Sequence, residues 1–312
     1  MPTRKKIEFL ENESMKETGL VMRDRNPALF TFFLCLIMVV GTTIAIGIFR
    51  FIISLFWQEQ RVREIFVNYK TNEYFSILLL LATFFVSLTT YFFVKFYQKR
   101  NAKSLGLTGE NKVKSYFAGL GIGTILLSVA FFLANIFGGY EVTLNVGNVR
   151  VGVFIAFVLG WIFQGFEEEL ITRAAIMNYF SARSGVGIGI FANSLIFAIL
   201  HLGNTSFSPL AFVNLFLAGL VFSMIFYITD SLYTSAACHS VWNFLQANIF
   251  GINVSGIINS TNTIFKAKPV GFLLISGGAF GIEGSILVSG VLVIALGVLY
   301  EVAKKKKIIV KI

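Results

Sequence analysis

Charged residues are scarce in this chain of 312 residues. Only 13% of them are Asp, Glu, Lys or Arg, against roughly 25% in an average soluble domain. With 56% hydrophobic residues, this shortage excludes an ordinary soluble domain. Several apolar runs reach the roughly 20 residues that a helix needs to cross a bilayer. The sequence therefore predicts an all-α, polytopic membrane protein.

Cysteine is scarce as well, and several familiar motifs are absent. The two cysteines, Cys35 and Cys238, lie in separate apolar runs outside any CxxC pair, which argues against a disulfide framework and a zinc ribbon. The chain has no HExxH zinc-protease motif. Its glycine-rich stretches GLGIG (119–123) and GVGIG (185–189) lack the lysine of a phosphate-binding loop, so we interpret them as helix-packing sites. The polar N-terminal region does not resemble a signal peptide.

Apolar runs separated by charged loops predict about eight transmembrane helices. They lie near residues 28–57, 75–97, 116–138, 151–180, 186–203, 209–229, 232–250 and 284–303. The first run is longer than a straight span, so we expect it to tilt, kink or end at the interface. This division predicts an N-terminal tail (1–27), a transmembrane domain (28–303) and a basic C-terminal tail (304–312). The longest connection, 251–283, has a Gly-rich middle and no assigned role.

The formal net charge of +10 is explained by topology. One set of loops and tails carries 17 Lys and Arg, and the opposite set carries six. This bias predicts that both termini are cytoplasmic. The basic residues flank apolar segments and are not interleaved with aromatic residues, so we expect membrane lipids as partners and no nucleic acid.

The stretch GFEEELITRAAI (165–176) breaks this pattern, because it carries four charges inside an apolar run. A charge at bilayer depth costs from about 2.5 to more than 10 kcal/mol, so such residues usually face a protein interior and have a function. Residues 151–250, which include this stretch, also contain the only two histidines, His201 and His239. The polar residues of interest are Glu167, Glu168, Glu169, Arg173, His201, His239 and Asn243.

Helical spacing separates the three glutamates. Glu169 and Arg173 are four residues apart and share a face, which predicts an ion pair. Glu168 points about 100° away, toward a cavity in this prediction. Glu167 is expected on another face, outside the site.

Positions along the helices bring the acid and one histidine together. Glu168 and His201 are equally distant from the turn at Ser184-Gly185, so an antiparallel hairpin sets them at one level. His239 and Asn243 share a face one turn apart. Straight spans would set His239 more than roughly 10 Å from the level of His201. The connection 204–209 must therefore dip into the protein, or the helices must tilt.

Together these residues form a set suited to hydrolysis. Glu168 can take a proton from water, and Asn243 can donate a hydrogen bond to an oxyanion. His201 and His239 can polarise the water, donate to the oxyanion or bind a metal. Two histidines and one glutamate (Glu168, His201, His239) are also the ligand set of many catalytic zinc sites, so zinc and a metal-free mechanism both stay open.

The segments EELITR (168–173), FAILH (197–201) and HSVWN (239–243) resemble the signatures EExxxR, FxxxH and HxxxN/D of the CPBP family. These are the CAAX-protease and bacteriocin-processing intramembrane peptidases, also called the Abi family, which include the Ras-converting CAAX endopeptidase. The resemblance covers roughly residues 100–255.

The resemblance implies a membrane peptidase of about eight helices with an intramembrane catalytic cavity. It assigns Glu168 as the base, Glu169 and Arg173 as bracing residues, His201 and His239 as the residues that hold the water, and Asn243 as an oxyanion donor. It also implies a membrane-associated peptide or lipopeptide substrate and a bacterial plasma membrane location. Two other hypotheses stay open: a non-catalytic scaffold for a partner protein, and a proton-coupled transporter.

Overall fold

The computed structural model describes residues 7–22, 25–68, 72–109, 111–257 and 261–311. Residues 1–6 and 23–24 of the predicted N-terminal tail, and residue 312 of the C-terminal tail, lie outside these ranges. Helices dominate the described part, which confirms the all-α polytopic fold class. The α-helices are α1 (Glu13–Met22), α2 (Pro27–Ser54), α3 (Glu59–Val67), α4 (Glu73–Phe92), α5 (Lys112–Ile136), α6 (Val151–Glu169), α7 (Asn178–Ser184), α8 (Val186–Leu200), α9 (Pro209–Thr229), α10 (Leu232–Phe244), α11 (Leu273–Ser276) and α12 (Ile286–Lys305).

Shorter elements connect or extend these helices. The π-helical segments are Phe93–Tyr97 after α4, Leu170–Met177 between α6 and α7, and Leu245–Ile249 after α10. The 3₁₀ turns are Lys103–Leu105, Val146–Asn148, Gly278–Phe280 and Ile282–Gly284. The strands are β1 (Ile7–Phe9), β2 (Tyr140–Leu144), β3 (Phe265–Pro269) and β4 (Ile309–Lys311).

Six helical stretches in the described residues are long and apolar enough to cross a membrane. They are Pro27–Ser54, Glu73–Tyr97, Lys112–Ile136, Val151–Ser184, Pro209–Thr229 and Ile286–Lys305. The predicted number of eight is therefore not confirmed. The predicted span 186–203 corresponds to α8, whose 15 residues extend only about 22 Å, less than the roughly 30 Å of a hydrocarbon core. The predicted span 232–250 corresponds to α10, which is short and rich in polar side chains.

The long helices begin at residues that satisfy free backbone N–H groups. The Asn26 side chain accepts a hydrogen bond from the backbone N–H of Ala28 ahead of α2, and Asn72 does the same at α4. Ser208 caps α9, where Pro209 takes the first helical position. These N-cap residues define the position at which each helix begins.

Helix α10 is the most deeply buried of the longer helices, and it packs between α5 and α6. Glycines permit the approach: a Cβ on Gly119 or Gly123 of α5 would overlap the carbonyl oxygen of Thr234 or Cys238, respectively. A Cβ on Gly165 of α6 would overlap the Ser240 hydroxyl. The prediction that GLGIG serves helix packing is confirmed at Gly119 and Gly123. At these contacts backbone touches backbone, which fixes the height and rotation of α10.

The end of the bundle nearest the two termini is closed by β1, β4 and α1. β1 pairs antiparallel with β4, so that Glu8 lies opposite Val310. Helix α1 packs against α7, and both carboxylate oxygens of Asp230 lie 3.3 Å from the backbone N–H of Ser14. The described part of the predicted N-terminal tail is thus folded onto the transmembrane helices.

The opposite end of the bundle is closed by strands β2 and β3 and by the long connection that precedes α12. β2 pairs antiparallel with β3, so that Val142 lies opposite Ala267. Between the π segment of α10 and α12 runs what we call the cap segment (residues 251–257 and 261–285). Asn214 of α9 fixes its end by donating hydrogen bonds to the carbonyl oxygens of Glu283 and Ser285, at 2.7 and 2.8 Å.

Candidate active site

Helix α6 carries a polar face near its end. Gln164, Glu167 and Glu168 are spaced by three and four residues, so they share one side of the helix. All three line one cavity of about 280 Å³. The prediction that Glu167 lies outside the site is therefore wrong in position, because the spacing of three residues from Gln164 places both side chains on the cavity face. Gln164 was not among the predicted site residues.

Glu169 and Arg173 form an ion pair behind this face. Arg173 Nη1 lies 2.9 Å from Glu169 Oε1, and both side chains are fully buried. The guanidinium also lies over the rings of Phe197 and Phe222, with its Cζ 4.5 and 5.4 Å from their centroids. Neither member of the pair lines the cavity. The pair therefore supports the site from outside, with a charge that the aromatic faces also stabilise.

His239 connects this ion pair to Glu168. Its Nδ1 lies 3.0 Å from Glu169 Oε1, and its ring stacks on Phe222 with centroids 4.8 Å apart. An ionised carboxylate can only accept a hydrogen bond, so Nδ1 carries the proton. The other ring nitrogen, Nε2, lies 3.8 Å from Glu168 Oε2. This separation is too long for a direct hydrogen bond but suits a bridging water.

The Glu168 carboxylate is held on one side only. Its Oε1 accepts a hydrogen bond of 2.6 Å from Gln164 Nε2, while its Oε2 is buried and has no hydrogen-bond partner in the described structure. Gln164 Oε1 in turn accepts from Asn243 Nδ2 at 2.9 Å. Gln164 thus joins the predicted base to the predicted oxyanion donor. A buried carboxylate oxygen without a partner requires an occupant, and water or a substrate N–H would fit.

His201 reaches the cavity because α8 is short. The residue follows the last turn of α8, and its Nδ1 lies 2.8 Å from the carbonyl oxygen of Phe197. The ring packs on the Phe197 ring, with centroids 4.8 Å apart. The connection after α8 then passes beside the site, since Asn204 also lines the cavity.

The cavity brings together four of the six predicted site residues, namely Glu168, His201, His239 and Asn243. The other two, Glu169 and Arg173, are linked to it through His239. One further acidic residue, Glu283 of the cap segment, lines the cavity as well. No sequence pattern indicated it, because the Gly-rich connection has no periodicity that relates it to α6.

The described residues do not form a metal site of the expected kind. Among them, no group of three His, Cys, Asp or Glu side chains is arranged to hold a metal ion. His239 uses Nδ1 for Glu169, and His201 uses Nδ1 for a carbonyl oxygen, which leaves one nitrogen each. The set Glu168, His201 and His239 does not converge on one point within ligand distance. We therefore derive no step through a metal.

The π segment that carries Arg173 is supported by a second buried arginine. Arg100 Nη2 and Nη1 donate to the carbonyl oxygens of Ala174 and Ala175, at 2.7 and 3.0 Å. Nη2 also donates to Thr18 of α1. Burial lowers the pKa of Arg100 to about 9, and no carboxylate partner of this arginine is found among the described residues. The N-terminal helix α1 is therefore connected through Arg100 to the π segment that carries Arg173.

Comparison with known families gives one match. Residues 150–245 match a family model described as type II CAAX prenyl endopeptidase Rce1-like. Searches of curated proteins and of solved structures gave no significant match. The matched region contains all three signatures and every predicted site residue, and the described helices make the chain an integral membrane protein. The match supports assignment of this chain to the CAAX-protease (CPBP) family of intramembrane endopeptidases.

Proposed function

We propose that the protein is an intramembrane endopeptidase that hydrolyses a peptide bond in a membrane-associated or lipidated peptide. The observation that carries the proposal is the unpartnered Oε2 of Glu168, 3.8 Å from His239 Nε2 in a buried cavity. A water between these two atoms would find two acceptors at once. A water that donates both hydrogens keeps an oxygen lone pair free, and peptide hydrolysis needs that lone pair to attack the carbonyl carbon.

Activation of the water follows from the hydrogen bonds around it. His239 carries its proton on Nδ1, so its Nε2 presents a lone pair toward the cavity. The water donates one hydrogen to this lone pair and the other to Glu168 Oε2, which directs the oxygen lone pair at the substrate carbonyl carbon. As the C–O bond forms, Glu168 takes the proton. The Glu169–Arg173 pair holds the imidazole in the required orientation.

The negative charge on the carbonyl oxygen needs donors, and two side chains can supply them. Asn243 has a second N–H besides the one given to Gln164. His201 carries a proton on Nδ1 for the Phe197 carbonyl, so it donates from Nε2 only as the imidazolium. Collapse of the intermediate breaks the C–N bond, and the proton on Glu168 passes to the departing nitrogen. The remaining hydrogen of the attacking water then passes to the amine, so the products are a carboxylate and an ammonium group.

The surroundings of the cavity support a hydrophobic peptide as substrate. Apart from its polar residues, the cavity is lined by side chains such as Leu80, Leu215, Phe222 and Leu292. The exposed surface of α2 is almost wholly apolar, as in Val39 and Phe51, which are 61% and 65% exposed. A lipid-anchored or membrane-inserted peptide could reach such a cavity without leaving the bilayer. By analogy with bacterial relatives, processing of a secreted signalling peptide or a bacteriocin fits this chemistry.

The test is the change Glu168→Gln, which keeps the shape of the side chain and removes the base. We expect cleavage to fall by a factor of about 100 to 10,000, while insertion and purification yield stay at wild-type levels. The readout is comparative peptidomics of cells that carry either form. Glu141→Gln, an exposed glutamate on β2, is the matched control and should cleave normally. Full cleavage by Glu168→Gln would contradict the proposal.

The same variant separates the two rival functions. A non-catalytic scaffold would keep its cellular phenotype with Glu168→Gln, because the side chain would still fill its place. A proton-coupled transporter would instead show Glu168-dependent flux in liposomes.

A further inference from the structure

A second acidic group faces the reaction cavity from the end opposite the termini. Glu283 lies in the 3₁₀ turn Ile282–Gly284 of the cap segment, and it is about nine-tenths buried. It lines the same cavity as Glu168, His201 and His239. The family signatures do not include it, and the hydrolysis described above does not use it.

Glu283 is fixed through one oxygen only. Its Oε2 accepts hydrogen bonds from the backbone N–H of Ser255 at 2.6 Å, from the Ser255 hydroxyl at 3.0 Å and from Gln246 Nε2 at 3.2 Å. Three donors to one oxygen favour the ionised carboxylate. No hydrogen bond to Oε1 is found among the described residues, so this oxygen is available to an occupant of the cavity.

The donors are themselves held in place. Gln246 Oε1 accepts from Trp242 Nε1 at 3.1 Å, and Gln246 Nε2 also donates to the carbonyl oxygen of Asn253 at 2.6 Å. The backbone of Glu283 is tied to Asn214 of α9. Glu283 is therefore presented to the cavity by a rigid framework, as expected for a binding group.

The charge balance of the cavity points to a cationic occupant. Three carboxyl groups line it, from Glu167, Glu168 and Glu283, and no lysine or arginine is found among the described lining residues. Glu167 is 3% exposed, and its Oε1 is buried without a hydrogen-bond partner. Arg173, which lies behind the cavity, is already paired with Glu169. An ionised buried acid without a counter-charge is unfavourable, so each of these groups either takes up a proton or is joined by a cation. Glu283, with three donors on one oxygen, is the one that stays suited to a cation.

Among the described residues that line the cavity, only the two histidines can carry a positive charge, and His201 is the one whose charge acts on Glu283. Burial raises the pKa of Glu283, and the hydrogen bonds from Ser255 and the nearby His201 oppose that rise. No ion pair within 4.0 Å joins the two side chains among the described residues. His201 also donates its Nδ1 proton elsewhere. Oε1 of Glu283 therefore stays available for a substrate group.

We infer that Glu283 forms a binding subsite for a cationic side chain, the ammonium of lysine or the guanidinium of arginine, on the peptide substrate. The inference rests on the proposed peptidase function and adds a substrate preference to it. A sphere with the volume of the cavity, about 280 Å³, is only about 8 Å across. Because a peptide advances about 3.5 Å per residue, the cationic residue would lie within two residues of the cleaved bond.

The experiment compares matched apolar peptides with the full-length protein in lipid nanodiscs. The peptides differ at one position, which carries lysine, arginine, glutamine or glutamate, and this position is moved through two residues on each side of the cleaved bond. We expect the wild type to prefer lysine or arginine over glutamine by about tenfold in kcat/KM at one position, mainly through KM. In Glu283→Gln this ratio should fall toward one, and Glu283→Asp should keep part of it. Glu141→Gln, which removes a charge from the same end of the molecule, should keep the full ratio.

A binding measurement keeps the inference testable apart from catalysis. On the Glu168→Gln background, the lysine peptide should bind about tenfold more tightly than the glutamine peptide, and the second change Glu283→Gln should remove the difference. Absence of any preference in the wild type would overturn the subsite. An equal loss for all peptides in Glu283→Gln would also overturn it, since Glu283 would then act through His201 or the fold. Absence of cleavage of every peptide by the wild type would instead contradict the peptidase function, and the binding data would still decide on the subsite.

Discussion

The buried pair of Glu169 and Arg173 leads to the sharpest stability prediction. Replacing Arg173 by methionine keeps much of the side-chain volume but leaves the Glu169 carboxylate buried with His239 as its remaining partner. Both side chains are fully buried and their charged atoms are 2.9 Å apart. Removing one partner of such a pair costs roughly 3–5 kcal/mol. The lost contacts of the guanidinium with Phe197 and Phe222 add to this cost.

The chain offers a convenient probe of unfolding. Cys238 is fully buried on α10, and the only other cysteine is Cys35. In a Cys35→Ala background, a thiol-reactive fluorophore would report exposure of Cys238 as temperature or denaturing detergent rises. We expect Arg173→Met to expose Cys238 at a much lower temperature than the parent. The control Lys114→Met, which removes an exposed cation at the start of α5, should leave the transition unchanged.

The double change Glu169→Gln with Arg173→Met tests whether the unpaired Glu169 charge causes the loss of stability. It leaves no unpaired buried charge, so it should recover at least about 1 kcal/mol relative to Arg173→Met alone. The glutamine carbonyl can still accept from His239 Nδ1. If Arg173→Met is as stable as the parent, or if the double variant is the less stable of the two, the reasoning about this pair is wrong.

Two further predictions concern packing and metal. Gly165→Ala should lower stability by roughly 1–3 kcal/mol and reduce cleavage, because the new Cβ would overlap Ser240 and displace His239. The control is Gly152→Ala on the same helix, whose new Cβ meets nothing within 4 Å and which should behave as wild type. Loss of cleavage in the Gly152 variant, or none in the Gly165 variant, would contradict this packing. Because the described donors do not converge on a metal, we also expect cleavage to survive dialysis against a chelator, and elemental analysis of the pure protein to find less than stoichiometric zinc. Chelator-sensitive cleavage restored by zinc would refute that expectation.

The parts of the site that the sequence could predict are those that depend on local spacing. Glu169 and Arg173 are paired through helical periodicity. Glu168 and His201, which are equally distant from the turn at Ser184-Gly185, line the same cavity. Both relations follow from the helix repeat alone. The same rule applied to Gln164 would have put it beside Glu168, so its omission was avoidable.

Other features depend on contacts between distant segments. The position of His239 along the bundle is set by contacts between α10 and glycines of α5 and α6. These contacts cannot be inferred from the sequence of α10 alone. Glu283 reaches the cavity only because Asn214, Ser255 and Gln246 fix the cap segment. The number of spans was overestimated because α8 has the composition of a span without its length.

The glycine contacts around α10 also determine when the geometry of the proposed site is formed. Gly119, Gly123 and Gly165 bring α10 against its neighbours at van der Waals distance, so His239 and Asn243 acquire their positions while the protein folds. Little reorganisation of these groups then remains for the moment when a peptide binds. In the proposed hydrolysis, a transition state would then meet dipoles that are already oriented, which is the condition under which buried polar groups lower a barrier most effectively.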